Sequence, residues 1–459
     1  MMNSVPKNKA WEAWARKQKN PEFFQRVGRA GAAYPAGIAP GRGYPARVAS
    51  AQDGQAKTGV VFTMLWVVFF FQGMTPGFWF PALTNILSAQ GLSGWVALVF
   101  MVGPLGAMIS PLIGGALADQ RVPADRLYAW TTLLGAGVLL LAFWCLEQHW
   151  NPWWFIGMLL AYSVISGPSW GLLATIALAN LAHGERQFPL VRLGSTIGWV
   201  AAGFLTSYLL QADSSPVAGY AATVTRVLGG LCALGLPHTP PLGRATSWRS
   251  VLGFEAFSLL RERDHLVFFT VTFLFSIPLT AFYMVAPQHL KVLGDAHPTA
   301  TMTIAQWSEV VAMLLVAAVM TRYRLKTLLL WALGLSVLRY GMSAHAGATG
   351  AVGWLIAGIA LHGVCYTFYF ITAQVFLDRR VEPGLRGQAQ GLLTLAASGL
   401  GPLVGALVCG WLRDFFIHAD GSGWCALWSA LGAMIAACFV VFAVLYRGDT
   451  ELTSPEIRD

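Results

Sequence analysis

The strongest constraint on this chain is a succession of twelve apolar runs, most of them long enough to cross a bilayer. A helix needs about 20 predominantly apolar residues to span the hydrocarbon core. Backbone polar groups must be satisfied within that core, which makes helices the spanning form for runs of this length. The first six runs are Val60 to Pro81, Trp95 to Leu117, Leu127 to Leu146, Trp154 to Leu181, Leu190 to Leu210 and Tyr220 to Leu236. A hydrophilic stretch from His238 to His265 interrupts the series. Six more follow: Leu266 to Ala286, Ala300 to Met320, Thr327 to Ala344, Val352 to Phe376, Gln390 to Leu412 and Cys425 to Tyr446. Charged residues make up 11% of the chain, against about 25% in a soluble domain. The expected fold class is therefore an all-α polytopic membrane protein, with twelve transmembrane helices in two six-helix halves.

Charge placement sets the expected orientation. A net charge of +9 could suit nucleic acid, but the positions of the 30 Lys and Arg argue otherwise. All except Arg192, Arg226, Lys291, Arg339 and Arg413 fall in alternate loops and at the termini, on one side. The turns Ala89–Gly94, Glu147–Asn151, Gln211–Pro216 and Ala344–Gly350 on the other side hold neither Lys nor Arg. The positive-inside rule then puts both termini in the cytoplasm of a cell (inner) membrane, in contact with lipid and without a nucleic-acid partner. Residues 1–58 carry no apolar h-region and read as a basic, disordered cytoplasmic tail able to touch anionic lipid. The halves are expected at 59–237 and 266–447, with a short cytoplasmic tail at 448–459. In the linker, 238–265, Trp248, Val251, Phe254 and Leu259 fall near one helical side. That pattern suits a helix lying along the membrane surface, and a plain tether is the other reading. Six cysteines stand singly without ligand spacing, so neither a disulfide framework nor a metal is expected, and no cofactor. No GxxxxGK[ST] loop occurs, which argues against ATP-driven transport by this chain alone. No nucleophile–base pair is visible, so the expectation is not an enzyme.

The polar residues inside the runs point to a pocket. Glu309, in Gln306-Trp307-Ser308-Glu309, is the only carboxylate placed near the middle of a run. A charge at mid-bilayer costs on the order of 3 kcal/mol or more, so it should face a cavity or a partner. The alternative is that it pairs with a buried arginine to lock helices together. Gln306, three residues away, shares its face. On the fifth run Arg192, Thr196 and Trp199 present a cation, a hydroxyl and an aromatic plane on one face. Gly194, Gly198 and Ala202 form a small-xxx-small stripe on another, the pattern of close helix packing. On the tenth, His362, Tyr366 and Tyr369 are read as one face with Thr367 beside it. On the seventh, Thr280 and Tyr283 lie near Pro278. Arg339 is read as a partner for Glu309 or a helix end, Arg226 as able to snorkel, and His362 as a packing residue more readily than a proton carrier. The first helix of each half is proline-broken, at Pro76 and Pro278. Interrupted helices at corresponding positions of two halves point to a midplane binding site. Such a set would suit a flat ring bearing hydroxyls, because a solute lacking one would leave buried polar groups unpaired.

These residues resemble the nucleoside:proton symporters of the major facilitator superfamily. The resemblance lies in Arg192-Leu-Gly-Ser-Thr-Ile-Gly-Trp199, Leu236-Pro-His-Thr-Pro240, "WRSVLGFEAFSL" from Trp248, Gln306-Trp-Ser-Glu309, Leu338-Arg339 and Arg386-Gly-Gln-Ala-Gln-Gly391. "GGALADQ" resembles the superfamily's loop signature after the second helix. The resemblance covers about Val60 to Tyr446. It implies that Arg192, Thr196, Gln306 and Glu309 look toward the solute, with Trp199 in place of a family phenylalanine. Two departures stand out: Thr367 occupies the position of an aspartate tied to proton coupling, and Thr280 and Tyr283 replace amides. Glu309 would be the remaining acidic proton carrier. The implied activity is secondary active import of nucleosides or similar polyhydroxylated ring compounds by alternating access, coupled to protons, by a monomer. The alternatives are a membrane sensor that does not transport, and a facilitator or symporter for a different small polar solute.

Overall fold

The computed structural model describes residues 51–120, 122–182, 184–240, 254–320, 322–381 and 386–448. The chain divides into two units, Met1–Gly54 and Gln55–Asp459, and of the first only residues 51–54 are described. Among the described residues of the second unit, eleven helices are long and apolar enough to cross a membrane. They are α1 (Gly59–Ala89), α2 (Val96–Gln120), α3 (Ala124–Glu147), α4 (Pro152–Asn180), α5 (Gln187–Leu209), α7 (Arg263–Val292), α8 (Pro298–Val316), α9 (Leu325–Thr349), α10 (Val352–Leu377), α11 (Gln388–Phe416) and α12 (Trp424–Leu445). The twelfth, α6 (Val217–Ala233), is apolar at 17 residues, at the short end of spanning length. The twelve fall into two halves, α1–α6 and α7–α12. The basic tail of residues 1–50, the final residues 449–459 and the linker positions Trp248 and Val251 lie outside the described residues. The described end of the linker, Phe254–Arg261, is a 3₁₀ stretch, so the expected α-helical face does not extend through it.

Within the halves, glycine decides how closely helices approach. A Cβ on Gly198 of α5 would lie 2.1 Å from the Phe70 carbonyl oxygen of α1, and one on Gly73 would lie 2.0 Å from that of Ser195. Gly194 and Gly77 repeat the pattern against Trp66 and Trp199. The small-residue stripe of α5 therefore packs on a matching stripe of α1, and the opposite face of α5 carries Arg192 and Thr196. Two of the buried arginines behave differently from expectation. Arg226 is only 2% exposed: its guanidinium donates to Ser166 Oγ at 2.7 Å and lies 5.0 Å from the Tyr162 ring centroid, so it turns inward and does not snorkel. Arg339 bonds to His362 and not to Glu309 or a helix end.

Proline, glycine and π-helical turns interrupt the helices at mid-membrane. The first helical segment of α1 ends at Trp79, after Pro76, and helix resumes at Leu83. α4 is divided at Gly167-Pro168 and α7 at Thr280, just after Pro278. Proline cannot donate to the i−4 carbonyl, which loosens the ladder there. The Pro278 carbonyl is itself taken by Tyr340 Oη at 2.5 Å. α10 and α11 contain π-helical turns at Thr367–Ile371 and Leu395–Leu400.

Among the described residues, the hydrogen bonds that join the two halves all lie at one end. Thr84 Oγ1 donates to the Met284 carbonyl at 2.7 Å, and Asn85 Nδ2 to that of Pro287 at 3.2 Å. Asp213 Oδ1 accepts from the Thr299 N–H at 2.8 Å and from Ser207 Oγ at 3.0 Å, while Ser207 Oγ accepts from the Ala300 N–H. Lys291 Nζ donates to Ser214 Oγ, and Arg413 donates to the Ser93 carbonyl.

Candidate functional site

A cavity of about 340 Å³ lies between the halves, within the usual size range of small-molecule sites. Its wall is built where the helices are irregular. Trp79, Phe80 and Leu83 come from the break in α1, Ser163 from just before that in α4, and Thr280 and Tyr283 from the break in α7. Phe370 belongs to the π turn of α10, and Ala397 and Ser398 to that of α11. Irregular backbone at membrane depth is tolerated where it lines a cavity, so the same residues that interrupt helices also shape the site.

The sequence candidates separate into three groups. Thr280, Tyr283, His362 and Tyr366 line the cavity directly. Trp199 and Gln306 support it. The Trp199 and Tyr283 rings are 5.8 Å apart, and Gln306 Nε2 donates to Tyr283 Oη at 3.0 Å. Trp199 Nε1 and Gln306 Oε1 are buried without a partner, which leaves two unspent hydrogen-bonding atoms beside the wall. Arg192, Thr196 and Glu309 are absent from the lining: Arg192 is exposed, and Thr196 and Glu309 are half-buried. Arg192 and Glu309 act on each other electrostatically, and both charges are felt at Tyr366, without an ion pair between them.

Two residues of α10 stand apart from this set. Thr367 is fully buried, lacks a partner for its hydroxyl, and is absent from the lining. Tyr369 was read as sharing the face of His362 and Tyr366, yet it is buried against α7, with its hydroxyl 3.0 Å from Thr272 Oγ1. The π turn explains the correction. Its wider winding carries Phe370 to the face where an α-helix would put Tyr369, and the Tyr366 and Phe370 rings lie 4.8 Å apart. An aromatic wall thus runs from Trp199 through Tyr283 to His362, Tyr366 and Phe370. The half that contributes Trp199 also supplies Trp79, Phe80 and Phe100, which sequence reading did not single out. The only signal for Trp79 and Phe80 was their place just after the Pro76-Gly77 break, and Phe100 had none.

His362 is held from behind. Its ring stacks on Phe282 with centroids 3.6 Å apart and 6° between planes, and its Nδ1 meets the Arg339 guanidinium. Arg339 is 3% exposed and lies over the rings of Tyr340 and Phe282 at 4.5 and 5.3 Å.

Two six-helix halves closed together at one end, with a central aromatic cavity between them, define a secondary transporter of the major facilitator class. The family is narrower. The model of the Nucleoside H+ symporter family matches residues 60–451, and the chain belongs to that family. Its sequence is 34% identical to YegT of Escherichia coli (strain K12) over 83% of this chain and 93% of that protein. It is 26% identical to the xanthosine permease of the same organism, over 84% of this chain and 96% of that one. Its fold matches the crystal structure of a mutant of the nucleoside transporter NupG with a TM-score of 0.78 at 23% identity. That match covers 84% of this chain and all of the other.

Proposed function

We propose that this protein imports nucleosides together with protons, with Glu309 as the proton-carrying group and the aromatic cavity as the nucleoside site. The observation that carries the reading is the placement of Glu309: a half-buried carboxylate on α8, three residues from the Gln306 that bonds Tyr283 in the cavity wall, and within electrostatic reach of Arg192. A carboxylate held beside the cavity can take up and release a proton as rocking of the halves changes its exposure to either side. The base would lie against the wall formed by Trp199, Tyr283 and Tyr366. The ribose hydroxyls would reach Thr196, Gln306 and Glu309, which supply the directional bonds that reject solutes lacking them. The family and the nucleoside-named relatives support this substrate class.

The loop charges support a cytoplasmic side for both termini, and in that orientation the end latched by Asp213 and Asn85 is the outer one. Import then needs that latch to open and the opposite end to close, by rocking of the halves around the fixed site. The transporting unit is taken as a monomer, a reading supported by a cavity whose lining comes from both halves of one chain. The test is uptake of radiolabelled uridine and adenosine in cells lacking their own nucleoside carriers, with and without a protonophore, for the parent and Glu309→Gln. Loss of uptake under both treatments is the expected result. Uptake that survives the protonophore would remove proton coupling, and no uptake by protein confirmed in the membrane would remove the substrate class.

A further inference from the structure

We propose that Arg339 is a positioning residue that fixes the ring proton of His362 on Nε2, so that the imidazole offers the cavity a hydrogen-bond donor. The argument begins with donors and acceptors. A guanidinium has donors and no acceptor, and a neutral imidazole has one of each. The hydrogen bond between Arg339 and His362 Nδ1 therefore requires Nδ1 to present its lone pair, and the ring's proton sits on Nε2. Arg339 has no competing carboxylate within ion-pair distance among the described residues, so its donor is directed to His362. The rings of Tyr340 and Phe282 hold the guanidinium from the sides.

The ring plane is also fixed. Phe282 stacks flat on His362, and Tyr283 and Tyr366 flank it at 6.3 and 6.1 Å. His362 lines the cavity, and its Nε2 has neither a protein partner nor a place among the buried unpartnered atoms. Nε2–H is therefore available to a bound solute. Unsupported, the imidazole could carry its proton on either nitrogen and would accept from one solute or donate to another. Held by Arg339, it selects solutes that place an acceptor there: a ring carbonyl oxygen or an unprotonated ring nitrogen. Arg339 never touches the solute, and its contribution is to specificity. The tautomer claim stands independently of the nucleoside reading, and the specificity claim rests on it.

The test uses full-length protein labelled with ¹⁵N-histidine and reconstituted in lipid, with His362 assigned by difference against His362→Gln. The parent is expected to show Nδ1 unprotonated and Nε2 protonated. Arg339→Met is expected to lose that preference, and Arg339→Lys, which still donates, to keep it. A parent His362 protonated on Nδ1, or an Arg339→Met spectrum unchanged from the parent, would overturn the proposal. Should Arg339→Met fail to fold, the parent spectrum alone still decides the tautomer. In uridine uptake, Arg339→Met should raise KM about tenfold, the worth of one hydrogen bond, with kcat largely kept and Arg339→Lys near the parent. An unchanged KM with altered nitrogen signals would overturn the specificity claim alone. If the parent takes up no uridine, the proposed function fails and the nitrogen signals still decide the role of Arg339.

Discussion

Gly198→Ala puts the packing argument at risk most directly. The new Cβ would stand 2.1 Å from the Phe70 carbonyl oxygen, 2.9 Å from its carbon and 3.1 Å from the Met74 nitrogen. All three are backbone atoms of α1, so no side chain can swing away. Ordinary contact begins at 3.4 Å, and reaching it from 2.1 Å requires α1 and α5 to part by 1.3 Å at that point. The parting cannot stay local, because Gly73 and Gly194 hold the same seam at 2.0 and 2.7 Å. Overpacking of this kind costs about 3 kcal/mol at the upper end. The higher helix propensity of alanine returns about 1 kcal/mol. A net loss of about 2 kcal/mol lowers Tm by roughly 4–8 °C for a unit the size of one half. The assay is thermal unfolding of purified protein in detergent, with Gly137→Ala and Gly157→Ala as controls, since a Cβ at either meets nothing within 4 Å. Those two are expected to match or exceed the parent. If Gly198→Ala is as stable as Gly137→Ala, the glycine seam is not what sets the distance between α1 and α5. Transport should fall too, because the displaced helix carries Arg192, Thr196 and Trp199.

Further outcomes follow from single contacts. Asp213→Ala removes the acceptor for the Thr299 N–H and Ser207 Oγ, bonds to a charged group that contribute about 1.5–3 kcal/mol. Spin labels at Gln211 and Ala296 in a cysteine-depleted background should then report a larger fraction of molecules open at that end, and an unchanged distance distribution would refute the latch. Thr367→Val removes a buried hydroxyl that has no partner, so Tm should hold or rise by up to about 1 kcal/mol of stability, and uridine uptake should be unchanged. A loss of uptake would return Thr367 to the site.

Much of the fold was legible because membrane insertion writes itself as local pattern. Apolar length, loop charge and proline punctuation are all read within one segment. The stripe of Gly194, Gly198 and Ala202 was legible as a packing face for the same reason, although its partner stripe on α1 was not. What escaped notice depends on the pairing of distant segments or on helical winding. The partner of Arg339 lies 23 residues away, at His362, and nothing local distinguishes it from Glu309. Tyr369 was misplaced because counting by 3.6 residues per turn fails inside a π turn, and "TFYFI" does not announce one. The cavity's other wall, Trp79, Phe80 and Phe100, reads in sequence as ordinary lipid-facing aromatics.

Glycines mark several of the seams that do not slide. At some seams inside the halves the atoms nearest an added Cβ are backbone, while at others, such as Gly219 against Phe143 and Gly167 against Ser110, they are side chain. Gly73 and Gly198 meet carbonyls across the α1–α5 seam, Gly363 of α10 meets the Ala305 carbonyl and Glu309 nitrogen of α8 at 2.3 Å, and Gly347 of α9 meets the Cys425 nitrogen of α12 at 2.6 Å. Between the halves, the nearest atoms are side-chain tips: Thr303 Cγ2 against Gly203, Ala97 Cβ against Gly410 and Met108 Cγ against Gly399. Backbone seams cannot slide without breaking helices, whereas side-chain tips can separate and meet again. The polar contacts between halves are of the second kind as well. The neutral ones contribute about 1 kcal/mol each and those to charged groups about 1.5–3 kcal/mol, because water replaces them on opening. A handful of such bonds leaves closed and open forms within a few kcal/mol of each other, the range in which a solute or a proton can shift the balance. Because Gly363 packs α10 directly on the Glu309 backbone of α8, those two helices must shift together when the halves rock, whatever drives the change.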